Sequence, residues 1–197
     1  MLVFCFMGGV GQLTVYDADG RRKYLNKTES RRFLKAVENL PAIDAAFCLT
    51  LYYSGCRISE ALNLTSQAID WETHVIRFGT LKKRGRKETR RVPIPEPLTK
   101  QLRAVAAAQC SGKKLWNFSR STGWRLIKAV MREAKIEGIH ATAKGLRHGF
   151  GVRGAMQQIP VSVLQVWMGH AYASNTAIYL DVRDTEQRDL IKRTWKV

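Results

Sequence analysis

Apolar residues recur at helical spacing through most of this chain, and the exceptions mark its joints. Asn26 followed by Glu29 has capping-box spacing, and Phe33, Leu34 and Val37 then fall on one helical face, which predicts a helix over about 28–40. Pro41 opens the next element, and the mostly apolar run Ile43 to Tyr53 predicts a helix buried on most sides, ended by Ser54-Gly55. Arg57-Ile-Ser-Glu60-Ala-Leu62 then starts a short helix. Val75 to Phe78 and Arg91 to Ile94 read as two strands, and Leu98 to Ala108 resumes a helix after Pro95 and Pro97. Helical stretches follow at about 121–136, 145–157 and 161–168, then a short one carrying Tyr179 and a last one over about 184–195. The expected class is mainly α with a small antiparallel β-sheet, an α+β domain.

Residues 12–25 are extended pieces around the turn sequence Asp17-Ala-Asp-Gly20 and are expected to form a small hairpin or loosely attached arm. The apolar opening Met1 to Met7 lacks a basic leader, and no run approaches the ~20 apolar residues of a membrane span. Cys5, Cys48, Cys56 and Cys110 show no paired spacing, which fits a reducing cytoplasm.

Charge changes the picture most. With 33 Lys and Arg against 16 Asp and Glu, the net charge of +17 argues for a polyanionic partner, nucleic acid before an acidic membrane surface. The charge concentrates between the strands, where Lys82 to Arg91 hold seven Lys or Arg against one Glu. Lys83, Arg84, Arg86, Lys87 and Arg90 are therefore candidate contacts to a DNA backbone.

A second concentration has the pattern of a reaction site. Lys144, Arg147 and His148 lie at i, i+3 and i+4 and share one helical face, a costly arrangement unless an anion sits there. Gly169 ends an apolar helix and sets His170 in a turn; Tyr179 follows nine residues later. A phenol attacking a phosphate needs a base nearby and fixed positive charge for the oxygens.

These segments resemble the tyrosine recombinase (phage integrase) family. Gly55-Cys-Arg57-Ile-Ser-Glu60-Ala-Leu62 is similar to its first arginine box, Thr80-Leu-Lys82 to the end of its lysine strand, and Lys144-Gly-Leu-Arg147-His148 to its second box, with lysine where histidine is usual. Gly169-His170 and Tyr179 have the spacing of its last histidine and its nucleophile. The resemblance covers about Asn26 to Trp195 and implies a catalytic domain over 26–181 and a tail over 182–197; the separate N-terminal domain that clamps DNA in most members of the family is not expected before Asn26, a departure from the family pattern that makes the chain either a compact member or a catalytic fragment.

It further implies that Tyr179 attacks a DNA phosphate to give a 3′-phosphotyrosine and a free 5′-hydroxyl. Arg57 and Arg147 would bind the non-bridging oxygens. Lys82 would be the general acid, with Lys83 and Lys87 as sequence rivals, and His170 would hydrogen-bond the phosphate. Glu60 would orient Arg57, and His148 would buttress the site or help accept the tyrosine proton. Lys144 joins the catalytic set through its place in the second box, with no base role assigned to it, because a charged lysine cannot accept a proton. The scheme needs neither metal nor cofactor. Double-stranded DNA is the expected partner, bound by four protomers that exchange their tails, although the tail can equally pack on its own chain. Nicking and rejoining without exchange, or DNA binding without cleavage, are the alternative outcomes.

Overall fold

The computed structural model describes residues 14–81, 87–108, 114–181, 187–188 and 191–192. Among them are helices α1 (Lys27–Val37), α2 (Ala42–Ser54), α3 (Ile58–Leu62), α4 (Glu96–Ala107), α5 (Arg120–Glu133), α6 (Ala143–Met156), α7 (Val161–Met168) and α8 (Ser174–Ala177). Strands β1 (Ile69–Asp70), β2 (Val75–Leu81) and β3 (Lys87–Pro93) form an antiparallel sheet in that order. The mainly helical class with one small antiparallel sheet matches the expectation.

The local reasons are those the residue pattern supplies. Asn26 accepts from the Glu29 amide at 2.8 Å, and the Glu29 carboxylate accepts from the Asn26 amide at 3.0 Å, a complete capping box. Helix α2 ends at Gly55, whose φ of +60° lets its amide bond back to Leu51. Glycine is required there twice over, because a Cβ would lie 2.5 Å from the Phe150 ring. Helix α2 is buried along most of its length, and its polar members are matched internally: Thr50 Oγ1 donates to Ala46 O and Ser54 Oγ to Thr50 O.

The strands extend further than expected. Apolar alternation stops at Phe78, yet β2 continues to Leu81 and β3 begins at Lys87, with Gly79 opposite Thr89 and Leu81 opposite Lys87. Ladder bonds use the backbone, so a polar stretch can prolong a hairpin that an apolar one has registered. The brief β1, paired through Ile69 with Ile76, has too few residues to show a period. The expected helix over 184–195 lies largely outside the described residues, although 187–188 and 191–192 are helical.

The main core joins α1, α2, α4, α5 and one face of the sheet. At its centre Trp116 is fully buried, stands edge-on to Phe47 at 5.2 Å and donates its indole N–H to Ala61 O at 2.9 Å, which pins α3 in place.

Of the two forms expected for the N-terminal segment, its described residues from 14 onward take the hairpin, and they are packed. Tyr16 and Arg22 pair across the turn at Gly20, φ +76°, and Val15 and Tyr24 are fully buried in a second cluster with Val152, Met168 and Tyr179. Glu29 holds this hairpin to α1: Arg22 forms two bonds to its carboxylate at 2.6 and 2.9 Å, and His140 Nε2 lies 3.1 Å away. Burial alone would raise the Glu29 pKa, but the bonds from His140, Arg22 and the Asn26 amide outweigh it and hold the carboxyl well below the usual range.

A carboxylate whose folded pKa is depressed contributes stability above its unfolded pKa of about 4.3 and loses it as pH falls below that value. The Glu29→Gln variant is therefore expected to melt below the wild type at pH 7, with the gap narrowing at pH 3. Equal gaps in thermal melts at both pH values would contradict the ionic role.

Candidate active site

Tyr179 lies in a 3₁₀ turn, Ile178–Leu180, directly after α8. Its side chain is 1% exposed. The hydroxyl is 3.2 Å from His148 Nδ1, and the ring stacks on His170 with centroids 6.1 Å apart and planes 17° apart. The seat is cut to fit, because a Cβ on Gly151 of α6 would come within 2.6 Å of the tyrosine ring.

Arg147, one turn earlier on α6, is mostly buried and donates to Gly55 O at 2.7 Å and to Met168 O at 2.6 Å. These carbonyls stand at the C-terminal ends of α2 and α7, where the helix dipoles favour a cation. Burial, together with the nearby charge of Arg57, pushes the Arg147 pKa down to about 10, so it remains charged at neutral pH.

Arg57 caps α3 and keeps its side chain 46% exposed, with Nη1 at 3.4 Å from Glu60 Oε1. Glu60 also accepts from the Arg57 amide at 2.7 Å. His170 follows Gly169, whose φ of +62° terminates α7, and its Nδ1 lies 2.8 Å from Thr176 Oγ1. Burial first, then surrounding cations, lowers both histidines to about 4; the cations are Lys144, Arg147 and Lys23 for His148, and Arg147 and Arg57 foremost for His170. Both rings are therefore neutral at pH 7, each with one ring nitrogen unprotonated. For Tyr179, burial raises the pKa to about 12 against the opposing pull of Arg147 and Arg57.

The structure thus gathers Arg57, Glu60, Arg147, His148, His170 and Tyr179 into one place. Lys144 is exposed in the first turn of α6, and its effect there is the charge it lends beside His148. Lys82, Lys83, Arg84 and Arg86 lie outside the described residues, while Lys87 opens β3 opposite Leu81.

Arg90 corrects the sequence expectation. Instead of projecting with the basic hairpin as a DNA contact, it is 6% exposed and binds Glu60 with both terminal nitrogens, at 2.8 and 2.7 Å. Strand alternation explains the difference: Arg90 pairs with the buried Phe78 on the inward face, whereas Arg91 is exposed. Thr176 and Gly151 were also missed. A glycine in the interior of α6 was the available hint for the second, since it often marks a close approach; a lone threonine gave none.

A helical domain with a small sheet, holding one tyrosine among two arginines and two histidines, defines the class. The chain belongs to the phage integrase family, whose sequence profile matches residues 23–186. It is 28% identical over 183 residues to the tyrosine recombinase XerA of Pyrococcus furiosus, a match covering 87% of this chain and 61% of that protein. With a tyrosine recombinase of Thermosipho africanus it shares 32% identity over 151 residues, 73% of this chain and 51% of the other. The chain therefore spans between half and two thirds of the length of these relatives. The fold is similar to that of the XerA recombinase crystal structure, with a TM-score of 0.76, 24% identity and coverage of 87% of this chain and 64% of that one. It is also similar to the catalytic domain of bacteriophage HP1 integrase, with a TM-score of 0.62, 23% identity and coverage of 86% and 93%. The XerH recombinase bound to its difH substrate gives a TM-score of 0.69 at 15% identity, covering 92% and 60%.

Gly151→Ala should destabilise the protein by about 1–3 kcal/mol through the clash with Tyr179. In a Tyr179→Ala background the same change should be neutral or stabilising, because alanine then only improves helix propensity. Denaturant unfolding of the four proteins measures both effects, and an equal cost in the two backgrounds would contradict this seat for the ring.

Proposed function

We propose that the chain is the catalytic part of a site-specific DNA recombinase, cleaving and rejoining strands through a 3′-phosphotyrosine. The observation that carries this reading is the placing of the Tyr179 hydroxyl against neutral His148, its ring stacked on His170, in the field of Arg147 and Arg57. Residues 26–181 form the catalytic unit, with the N-terminal hairpin packed beneath the nucleophile.

In the proposed step the Tyr179 oxygen bonds to phosphorus as its proton passes to His148. The bond from phosphorus to the 5′-oxygen breaks, and that oxygen takes a proton from Lys82, or from Lys83 or Lys87 on the same hairpin. Arg57 and Arg147 neutralise the non-bridging oxygens, and arginine suits the task because its planar fork stays charged and meets phosphate in two places. His170, oriented by Thr176, donates the remaining hydrogen bond. A 5′-hydroxyl from a partner strand reverses the sequence. Bond energy is kept in the phosphotyrosine, so the step calls for neither metal nor nucleotide.

Double-stranded DNA is the proposed partner, in keeping with the net charge and with structures of similar fold, such as the Tn1549 transposon integrase in complex with transposon right end DNA and XerH bound to its difH substrate. Four protomers on paired sites, with exchange of the segment after Tyr179, complete the proposal; among the described residues no helix is long and apolar enough to cross a membrane. The protein would act where DNA is, in the cytoplasm.

A nicked suicide duplex tests the proposal. The wild type should form a covalent adduct on denaturing gels, and Tyr179→Phe should form none. Arg147→Ala should lower the cleavage rate by about 10²-fold or more while DNA affinity changes little. An adduct that survives Tyr179→Phe would refute the nucleophile; adducts without recombinant product would assign nicking and rejoining instead; tight binding with no adduct would assign a DNA-binding role.

A further inference from the structure

Of the two cations in the run Lys82 to Arg91 whose side chains are described, Arg91 is exposed and Arg90 is turned into the protein. Its two terminal nitrogens grip both oxygens of Glu60, at 2.8 and 2.7 Å. Its Nε donates to Trp167 O at 2.8 Å, and its guanidinium covers the Phe78 ring at 4.8 Å. A side chain at position 169 would come within 3.1 Å of its stem, so Gly169 also closes upon it. One side chain therefore joins three segments: the strand leading from the basic hairpin, the α3 cap that carries Arg57, and the end of α7 from which His170 projects.

We propose that Arg90 is a positioning residue for the cleavage reaction, setting Arg57 through Glu60 and His170 through the end of α7. This rests on the recombinase function proposed above. The argument is geometric. Arg57 is nearly half exposed, and its bond to Glu60 at 3.4 Å is weak, so Arg57 alone does not fix the carboxylate. The two short bonds from Arg90 do, and they orient Glu60 so that its oxygens reach the Arg57 amide and guanidinium. The bond from Nε to Trp167 O, three residues before His170, ties the second phosphate-binding group to the same centre. Lysine cannot replace this arrangement, because a single ammonium cannot present two parallel donors to the carboxylate and a third to the carbonyl. Arg90 sits on β3, the strand that begins at Lys87, so the strand that follows the basic run carries the side chain that holds both Glu60 and the end of α7.

A buried ion pair can also serve stability alone, and replacing both partners separates the two roles. Apolar residues of similar volume often restore the stability lost with a buried pair. The test compares wild type, Arg90→Met, Arg90→Lys, and the double variant Glu60→Met with Arg90→Met, in single-turnover cleavage of a nicked duplex, equilibrium DNA binding and thermal melting. Arg90→Met should cleave about 10²-fold more slowly, the scale set by small misplacements of reacting groups, with DNA affinity within about threefold of wild type. The double variant should recover most of the melting temperature but none of the rate. Arg90→Lys should fold and still cleave about tenfold more slowly, which keeps the test decisive if Arg90→Met fails to fold. Recovery of rate together with stability in the double variant, or a wild-type rate in Arg90→Lys, overturns the proposal while leaving the recombinase function intact. A wild type that forms no adduct overturns that function and this proposal with it.

Discussion

The guanidinium of Arg147 donates to the terminal carbonyls of α2 and α7, and the arrangement around Tyr179 hangs from those two bonds. A buried cation is costly in itself, and here two helix C-termini offset the cost with aligned carbonyls. Gly55 leads directly into Cys56-Arg57, and Met168 into Gly169-His170, so the same side chain sets the spacing between Arg57 and His170. Truncating Arg147 would leave two polar ends without their partner, each worth about 1–3 kcal/mol if buried. Glu60 and Arg90 complete the frame from the sheet side. The fold and the proposed function thus share their anchoring contacts, and the charge that the proposed phosphate site requires is charge that the helices already stabilise.

The proposed nucleophile, Tyr179, is held in reserve. Burial keeps Tyr179 protonated more strongly than the neighbouring arginines favour its ionisation, and an almost fully buried hydroxyl is out of reach of a duplex. In the proposed reaction the phenol reacts when its proton has somewhere to go, and the ring nearest its hydroxyl is that of His148, kept neutral by burial and by the cations around it. The carrier of the tyrosine is the short α8 and its 3₁₀ turn, an element with little helix of its own to hold it. Its seat comes largely from elsewhere: Gly151 of α6, Met168 of α7, and the hairpin residues Val15, Tyr16 and Tyr24.

What was legible in the sequence was local. The Asn26–Glu29 box, the stop at Gly55, and the apolar period of α2 and α7 each depend on residues within one or two turns, and each appeared where expected. The spacing of the arginines, histidine and tyrosine could be read as well, because a family resemblance records contacts that periodicity does not. Long-range pairings were hidden. Arg90 lies 30 positions from Glu60 and 77 from Trp167, and in the string it is one more cation in a basic run. The hairpin at 15–25 looked peripheral because its two tyrosines face a partner more than 150 residues away. Thr176 gave no sign of its bond to His170, since a single threonine in a short helix has no pattern to break.

The most direct test of the central claim is to digest the trapped protein–DNA adduct and map the attached nucleotide by mass spectrometry. Tyr172 is 71% exposed and lies seven residues before the buried Tyr179, so accessibility and assembled chemistry point to different residues. The expected result is a nucleotide joined through its 3′-phosphate to the peptide containing Tyr179. Attachment at Tyr172, or through a 5′-phosphate, would contradict the account.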